Sequence, residues 1–439
     1  MIFFLTATVF AERPDEGGLF SFDSSDVLSS YDSDHFRVHF SVDGPNQTRL
    51  EDEDASGVPD FVEMVAQTAE EAFEVYRDAG FLEPLPESEL GVVLGGTEAF
   101  DFYLVDFGGS ADGMFGIDDC IDHRCVGYMV MENDFVGYGY PSTEEAVRVL
   151  VSHEYFHAVQ SAYRGAQDSW LSEGMAVWAE YYFDPQPYDF YGFCSAYLDD
   201  PERSLFRPPA GMVTAFSYGT ALWFAFLYEN RGVELLVEIQ EEQERQPDSL
   251  QAMVDAVGED LEPLWIDFTR WNLATGGYAG AATSYPYAER INPPTPSYEG
   301  SHFHDEHRFY PLAASYFRLD HEGGELRFHI EDGAPGITFS LHATDGFQVQ
   351  EPISMWSGET FLSWSLEAGS YWIVGSYGSP FGSSQKLELC IGADCDEPEV
   401  ESPNTKQDGG CGGQAGILIP WFFFWGIRRV RKRNKEFLC

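Results

Sequence analysis

The motif His153-Glu154-x-x-His157, followed sixteen residues later by Glu173, constrains the fold more than any other feature of this sequence. Side chains at positions i and i+4 lie one above the other on a helix, so both imidazoles can reach one metal ion. A carboxylate from a second helix completes the three-ligand set with one open position that catalytic zinc requires. We therefore predict two helices that hold Zn²⁺ through His153, His157 and Glu173.

The residues around this motif indicate a mostly buried helix. Ser142 to Glu145 is typical of a capping box, and an apolar run from Ala146 to Val151 leads into the motif. Histidines and a glutamate are costly to bury without partners, and a metal ion is the simplest partner. Glu154 is then placed to hold a water beside the metal without being a ligand. An exposed, charged helix turn is the alternative interpretation.

Both stretches resemble the gluzincin metallopeptidases, in which a glutamate ligand on a second helix follows HExxH. Residues 170–176, WLSEGMA, are similar to the WLNEGFA stretch of the gluzincin aminopeptidases, and Glu173 falls on their ligand position. Glu180 falls on a further carboxylate of that helix, which could orient a histidine ligand through a hydrogen bond without contacting the metal itself. A solvated glutamate on the helix face is the alternative for Glu180. The resemblance implies a zinc metallopeptidase in which Glu154 is the catalytic base.

A third stretch, Ser217 to Leu222, resembles the YxKG-type helix start whose tyrosine stabilises the oxyanion. Tyr218 takes that catalytic role if the resemblance holds, and a core aromatic residue is the alternative. The lysine of YxKG is absent, and the gap between His157 and Glu173 is shorter than in the gluzincin aminopeptidases. These departures favour a distant, separate gluzincin family.

A strand is predicted over residues 126–135 because this stretch is rich in β-branched and aromatic residues. In zincins, an edge strand just before the active helix pairs with extended substrate. Met131-Glu132-Asn133 is similar to the GxMEN motif, whose glutamate binds the substrate amino group in gluzincin aminopeptidases, but the glycine here is displaced to Gly127. We favour an endopeptidase, with an aminopeptidase that uses Glu132 as the alternative.

Residues 52–63 fit the twelve-residue calcium loop, with a glycine at the sixth position for the sharp turn. Calcium binds about six to eight oxygen atoms, which explains the acidic composition of the loop. We predict a structural Ca²⁺ site, and an acidic surface loop is the alternative. The predicted ligands are Asp52, Asp54, Ser56, Val58 through its carbonyl, Asp60 and Glu63.

The resemblance implies an α+β zincin-like catalytic domain, with a mixed upper sheet, an active-site helix and a helical lower subdomain. We place it at residues 86–298, after a strand, the calcium loop and a helix in residues 12–85. Short alternating strands with Gly-rich turns predict an all-β sandwich over residues 305–396. Two C-x4-C pairs, Cys120 with Cys125 and Cys390 with Cys395, predict local disulfides and an oxidising compartment, although C-x4-C is also a possible metal spacing.

Both ends of the chain indicate export. Residues 1–11 are typical of a signal peptide that is truncated at its start, and residues 397–413 are typical of a polar linker. Residues 414–439 combine an apolar run with a basic block and, together with Cys411, resemble the tripartite C-terminal sorting signals of Gram-negative bacteria. The resemblance implies attachment to the cell surface or outer membrane, or release after the tail is processed.

The partners follow from charge and chemistry. A formal net charge of −50 excludes nucleic acid as a natural partner. The resemblance to the metallopeptidases implies a peptide or protein substrate. A non-catalytic, calcium-binding surface adhesin is the alternative from a different functional class.

Overall fold

The computed structural model describes residues 12–18, 20–210, 213–331 and 334–395. They form a mixed α/β structure, in which a sheet and a group of helices are followed by two further β-sheets. The predicted signal peptide (1–11), Cys411 and the sorting tail lie outside the described residues. Within the described ranges, no helix is long and apolar enough to cross a membrane.

The first sheet has five strands in the order β1-β2-β3-β5-β4. The three central strands are parallel, and both outer strands run antiparallel to their neighbours. One face packs on helices, and Phe20 and Phe22 pack against the other. The strands are β1 (Leu28–Asp32), β2 (Phe36–Ser41), β3 (Phe100–Val105), β4 (Gly113–Ile121) and β5 (Arg124–Glu132), with helix α1 (Asp60–Ala79) between β2 and β3.

The prediction that the strand before the histidine helix lies at the sheet edge was wrong. Strand β5 lies between β3 and β4, and β4 is the edge strand of the described sheet. The reason is a tight hairpin between β4 and β5, in which Asp122 takes a left-handed conformation with φ of 59°. The predicted Cys120–Cys125 disulfide forms across this hairpin.

Eight helices follow in the described residues. The predicted cap of the first one forms, because the Ser142 side chain accepts a hydrogen bond from the Glu145 backbone N–H. Gly174 allows α3 to pack closely on its neighbour, since a Cβ there would lie 2.2 Å from Thr220 Oγ1. The helices are α2 (Thr143–Tyr163), α3 (Ser169–Phe183), α4 (Phe190–Leu198), α5 (Ala215–Gly219), α6 (Ala221–Arg231), α7 (Val233–Arg245), α8 (Ser249–Val257) and α9 (Leu261–Leu273).

The β-sandwich consists of two mainly antiparallel sheets, one of six strands and one of four, around a shared apolar core. Its first strand begins at Tyr298, slightly before the predicted start at residue 305. The predicted Cys390–Cys395 disulfide forms at its end. The strands are β6 (Tyr298–Gly300), β7 (Phe303–Phe309), β8 (Ala313–His321), β9 (Gly324–Ile330), β10 (Ile337–Asp345), β11 (Gln348–Val349), β12 (Ser354–Trp356), β13 (Phe361–Leu366), β14 (Gly369–Tyr377) and β15 (Gln385–Gly392).

The sandwich packs directly on helix α9. Tyr316 and Trp372 of the larger sheet are buried against Leu273. The Tyr316 hydroxyl donates to the Thr269 carbonyl at 2.9 Å, and the hydroxyls of Thr269 and Ser376 lie 2.5 Å apart. The helices and the sandwich therefore share a buried, hydrogen-bonded interface and belong to one compact unit.

Arg13 anchors the N-terminal segment on the outer face of the first sheet. Its side chain is 2% exposed and forms ion pairs with Glu87, with Asp101 at 2.5 Å and with Asp118 at 2.7 Å. Its guanidinium also lies 5.1 Å from the centre of the Tyr128 ring. A single buried cation thus compensates three carboxylates that would otherwise be desolvated without a countercharge.

We predict that Arg13→Met lowers the free energy of unfolding by about 3–5 kcal/mol, because three buried carboxylates lose their shared cation. Urea denaturation at fixed Zn²⁺ and Ca²⁺ concentrations measures the change. Arg231→Met is the control, since Arg231 makes an exposed ion pair with Asp260 at 3.2 Å and should cost less than about 1 kcal/mol. Equal stability of the two variants would contradict the role assigned to Arg13.

Candidate metal centre

Helices α2 and α3 bring the three predicted zinc ligands together. Nε2 of His153 and Nε2 of His157 each lie 3.5 Å from Oε2 of Glu173. All three side chains belong to one group whose ligand atoms lie within 4.8 Å of one another. Side-chain exposure is 0% for His153, 11% for His157 and 3% for Glu173. The sequence spacing alone does not impose this convergence, because it also depends on how α3 packs on α2.

Hydrogen bonds at Nδ1 orient both imidazole rings. His153 Nδ1 donates to Glu180 Oε1 at 2.6 Å, and His157 Nδ1 donates to Gln160 Oε1 at 2.8 Å. Gln160 is fixed in turn by donating to the Ser172 carbonyl at 2.9 Å. These bonds set the tautomer that leaves each Nε2 facing Glu173.

The orienting role foreseen for Glu180 agrees with this contact, whereas Gln160 was missed by the sequence analysis. Gln160 lies three residues after His157 on the same helix, which places the two side chains on one face. That spacing was the available signal. Its meaning depends on the rotamer of His157, which the sequence does not give.

The pKa values of the three groups favour a neutral His153, a protonated His157 and an ionised Glu173. Burial lowers the pKa of His153 to about 4. Burial also acts to lower the pKa of His157, but the Glu173 carboxylate outweighs it and raises that pKa to about 9. Burial acts to raise the pKa of Glu173, and the two histidines outweigh it and lower that pKa to about 2. A protonated His157 thus balances Glu173, a role that a bound cation can take over.

The donor set fits zinc. Two imidazole nitrogens and one carboxylate oxygen are common zinc ligands, and three protein ligands leave a position open. Nε2 of His157 and Oε2 of Glu173 are buried without a hydrogen-bond partner among the described residues. A buried polar atom without a partner destabilises the fold, and a cation between the three side chains would give these atoms a ligand to coordinate.

Glu154 is on helix α2, and its side chain packs against the edge strand β4. The residue is 0% exposed, and neither carboxylate oxygen makes a hydrogen bond of ordinary geometry with any residue that the structure describes. Burial raises the pKa of Glu154 to about 8. Gly113 makes room for it, since a Cβ at residue 113 would lie 3.2 Å from Glu154 Cγ. Glu154 is therefore a carboxyl group that can carry a proton near neutral pH.

Tyr218 lies beside the histidines at the end of the short helix α5. Its ring centre is 6.0 Å from that of His153 and 4.9 Å from that of Phe193. The side chain is buried, with 4% exposure. This position is close enough to the metal centre for the predicted oxyanion role, and it also packs as a core aromatic residue does.

The residues of the predicted calcium loop lie together on the surface before α1. The backbone N–H of Ser56 donates to Asp52 Oδ1 at 3.0 Å and to Asp54 Oδ1 at 2.9 Å, and Gly57 has a φ of 92°. Ligand atoms of Asp52, Asp54 and Asp60 lie within 4.8 Å of one another. Of the other predicted ligands, Ser56 Oγ lies 3.2 Å from the Val58 carbonyl oxygen, and Glu63 is in the first turn of α1.

Glu132 ends strand β5 and lines a cleft of about 1030 Å³ rather than the ligand cluster. Its Oε2 accepts hydrogen bonds from the Phe107 backbone N–H at 2.9 Å and from the Tyr138 hydroxyl at 2.8 Å. Glu132 is thus held rigidly at the cleft wall.

No family model matches this chain, and no curated protein matches it. Similar solved structures include a periplasmic inhibitor of g-type lysozyme from Aeromonas hydrophila, at 15% identity and a TM-score of 0.18, over 22% of this chain and 98% of that one. A Yersinia pseudotuberculosis-derived mitogen shares 15% identity over 23% of this chain and 92% of that one, with a TM-score of 0.19. The pre-peptidase C-terminal domain of a collagenase from Bacillus anthracis shares 12% identity over 22% of this chain and 99% of that one, with a TM-score of 0.18. Likenesses this weak carry no argument about function.

We predict that Glu180→Ala weakens zinc binding by about 10–100-fold, because His153 loses the acceptor that fixes its ring. Competition with a chromophoric chelator measures the affinity, and circular dichroism checks that the variant is folded. Glu229→Ala is the matched control, because Glu229 accepts a hydrogen bond from Tyr181 and not from a histidine. Loss of affinity in both variants, or in neither, would contradict the assignment.

A second prediction concerns the loop before α1. Calcium should raise the midpoint of thermal unfolding, and Asp54→Asn should reduce this rise because a ligand loses its charge. Differential scanning fluorimetry with and without Ca²⁺ measures the shift. Asp34→Asn, at another acidic surface position, is the control. An identical calcium-dependent shift in both variants would show that the loop is not the binding site.

Proposed function

We propose that this protein is an exported zinc metallopeptidase with a zincin-like catalytic domain and that it acts as an endopeptidase. The observation that carries the proposal is the buried convergence of His153, His157 and Glu173 beside Glu154. Three ligands, an adjacent carboxyl group and no sulfur donor form the set expected for a hydrolytic zinc site.

The residues divide the chemistry between them. Zinc bound to the three ligands supplies a Lewis acid that polarises the scissile carbonyl and makes water more acidic. Glu154 takes a proton from the attacking water and passes it to the leaving amine, a task suited to a carboxyl group whose pKa burial raises to about 8. Tyr218 donates a hydrogen bond to the developing oxyanion.

The edge strand β4 supports the binding of an extended peptide. Strand β4 pairs with β5 on one side, and no other described strand pairs with its second side. Its first residue, Gly113, lies against Glu154. A substrate strand added to this edge would place its backbone next to the catalytic glutamate by β-augmentation. We therefore propose that the substrate pairs with β4, rather than with the strand directly before α2.

An aminopeptidase remains the second candidate, and the position of Glu132 at the cleft wall favours it. The Glu132 carboxylate could bind a substrate amino group there. Peptides with a blocked amino terminus distinguish the two candidates, because an aminopeptidase would no longer cleave them.

Export is proposed from the two disulfides, which are typical of oxidising compartments, and from the predicted calcium loop. The sandwich would then accompany the enzyme outside the cell. The signal peptide and the sorting tail stay predictions, as does attachment to the cell surface or outer membrane.

We expect Glu154→Ala to retain zinc and to lose at least about a thousandfold in turnover, because the general base is removed while all ligands remain. An unbiased peptide mixture incubated with each zinc-loaded protein and analysed by mass spectrometry measures cleavage. Metal analysis of both proteins is the control. Internal cleavage by the wild type alone supports the proposal. Equal cleavage by both proteins would exclude this site as the source, and no cleavage by the zinc-loaded wild type would favour the adhesin alternative.

A further inference from the structure

A strongly acidic cleft lies next to the candidate metal centre. Its volume is about 1030 Å³, and no lysine or arginine is among the described residues that line it. The walls are the loop that leads from β3 to β4, the end of β5 with the loop that follows it, and helix α4. Five carboxylates line it: Asp106, Asp112, Glu132, Asp134 and Asp189.

Asp112 is a buried carboxylate of the cleft that forms no ion pair with a described residue. It is 1% exposed, and its Oδ2 accepts a hydrogen bond from the Tyr140 hydroxyl at 2.9 Å. Its Oδ1 is buried and has no hydrogen-bond partner among the described residues. A desolvated carboxylate in the wall of a cleft gains a large interaction when a cation approaches it.

The cleft begins where the proposed chemistry takes place. Asp112 immediately precedes Gly113, the residue that lies against Glu154. On the opposite wall, Phe193 of α4 contacts the Tyr218 ring at 4.9 Å between ring centres. A peptide held along β4 with its scissile bond near Glu154 would therefore place a neighbouring side chain in the cleft.

We propose that this cleft is the specificity subsite for a lysine or arginine side chain of the peptide substrate. The inference rests on the proposed peptidase function and adds the class of side chain that the enzyme selects. Negative charge without a resident cation provides the attraction for the side-chain head group. Tyr138 and Tyr188 also line the cleft, and their rings suit both the aliphatic stem and the cation.

A second metal ion is a poorer occupant of this cleft. Among the described residues, none of the groups of three or more side chains with metal-ligand spacing includes a residue of the cleft. The carboxylates are spread over the walls of a volume that exceeds that of a single ion. This spacing suits a long lysine or arginine side chain, whose charged group would lie among several of the cleft carboxylates.

The inference is tested by peptide binding to zinc-loaded Glu154→Ala full-length protein, which cannot turn the peptide over. The probes are N-acetylated, C-amidated alanine heptapeptides with one central lysine, norleucine or glutamate, and isothermal titration calorimetry measures their affinity. We expect the lysine peptide to bind at least about tenfold more tightly than the norleucine peptide, and the glutamate peptide to bind most weakly. Adding Asp112→Asn should lower the lysine-to-norleucine ratio, because one of the five carboxylates loses its charge while the Tyr140 hydrogen bond is kept.

Asp119→Asn in the same background is the matched control. Asp119 lies on β4, the strand that begins directly after Asp112, and it is exposed and outside the cleft. It should leave the ratio at its original value. Equal affinity for the lysine and norleucine peptides, or an unchanged ratio after Asp112→Asn, would overturn the proposal. If neither acetylated peptide bound, and the norleucine peptide bound once its amino terminus was left free, the result would also overturn the proposal and assign the cleft to the substrate amine.

Failure of this inference can be separated from failure of the proposed function. Cleavage of the norleucine peptide by zinc-loaded wild type reports on the peptidase activity without the charged side chain. Activity on that peptide with no lysine preference would reject the subsite alone. Lysine-selective binding with no cleavage of any peptide would instead support a cation-binding cleft and reject the peptidase function.

Discussion

Helix α3 packs on α2 closely enough for one carboxylate oxygen of Glu173 to lie 3.5 Å from a ring nitrogen of each histidine. This contact brings ionisable groups into an environment with little water, where their charges must be balanced locally. The opposite pKa shifts of His153 and His157 are the consequence. The rest of the molecule either supports this packing or uses it.

Support comes from residues that touch no candidate metal position. Gly174 permits the close approach of α3 to Thr220, and the Thr220 hydroxyl donates to the Trp170 carbonyl at 2.5 Å. Glu180 and Gln160 fix the two imidazoles through Nδ1. Farther away, Arg13 and the sandwich stabilise the sheet and helix α9 respectively. The geometry of the site is thus set by packing and by hydrogen bonds around the ligands.

Local signals in the sequence predicted much of this arrangement. The i,i+4 histidines, the Ser142 cap and the C-x4-C disulfides depend on residues close in sequence, and the structure has each of them. The alternating strands likewise predicted the sandwich. Glu173 was predicted from its place after the HExxH motif and from the resemblance, and its approach to the histidines is visible only in the packing of the helices.

The features that were missed or wrong depend on contacts between distant residues. Arg13 and Asp118 are 105 positions apart, so no local pattern reveals their pairing. The exchange of β4 for β5 at the sheet edge depends on strand order, which hydrophobic alternation does not encode. The acidic cleft is assembled from several separate segments. In a chain with a net charge of −50, its carboxylates do not stand out from the others until the fold places them together.

The central claim is that the cluster on α2 and α3 binds zinc, and X-ray absorption at the zinc edge tests it most directly. For the protein loaded with one equivalent of zinc, we predict imidazole and carboxylate scattering at about 2.0–2.2 Å, with no sulfur. The spectrum should change in Glu173→Ala. Sulfur scattering near about 2.3 Å, or the same spectrum with and without Glu173, would contradict the account.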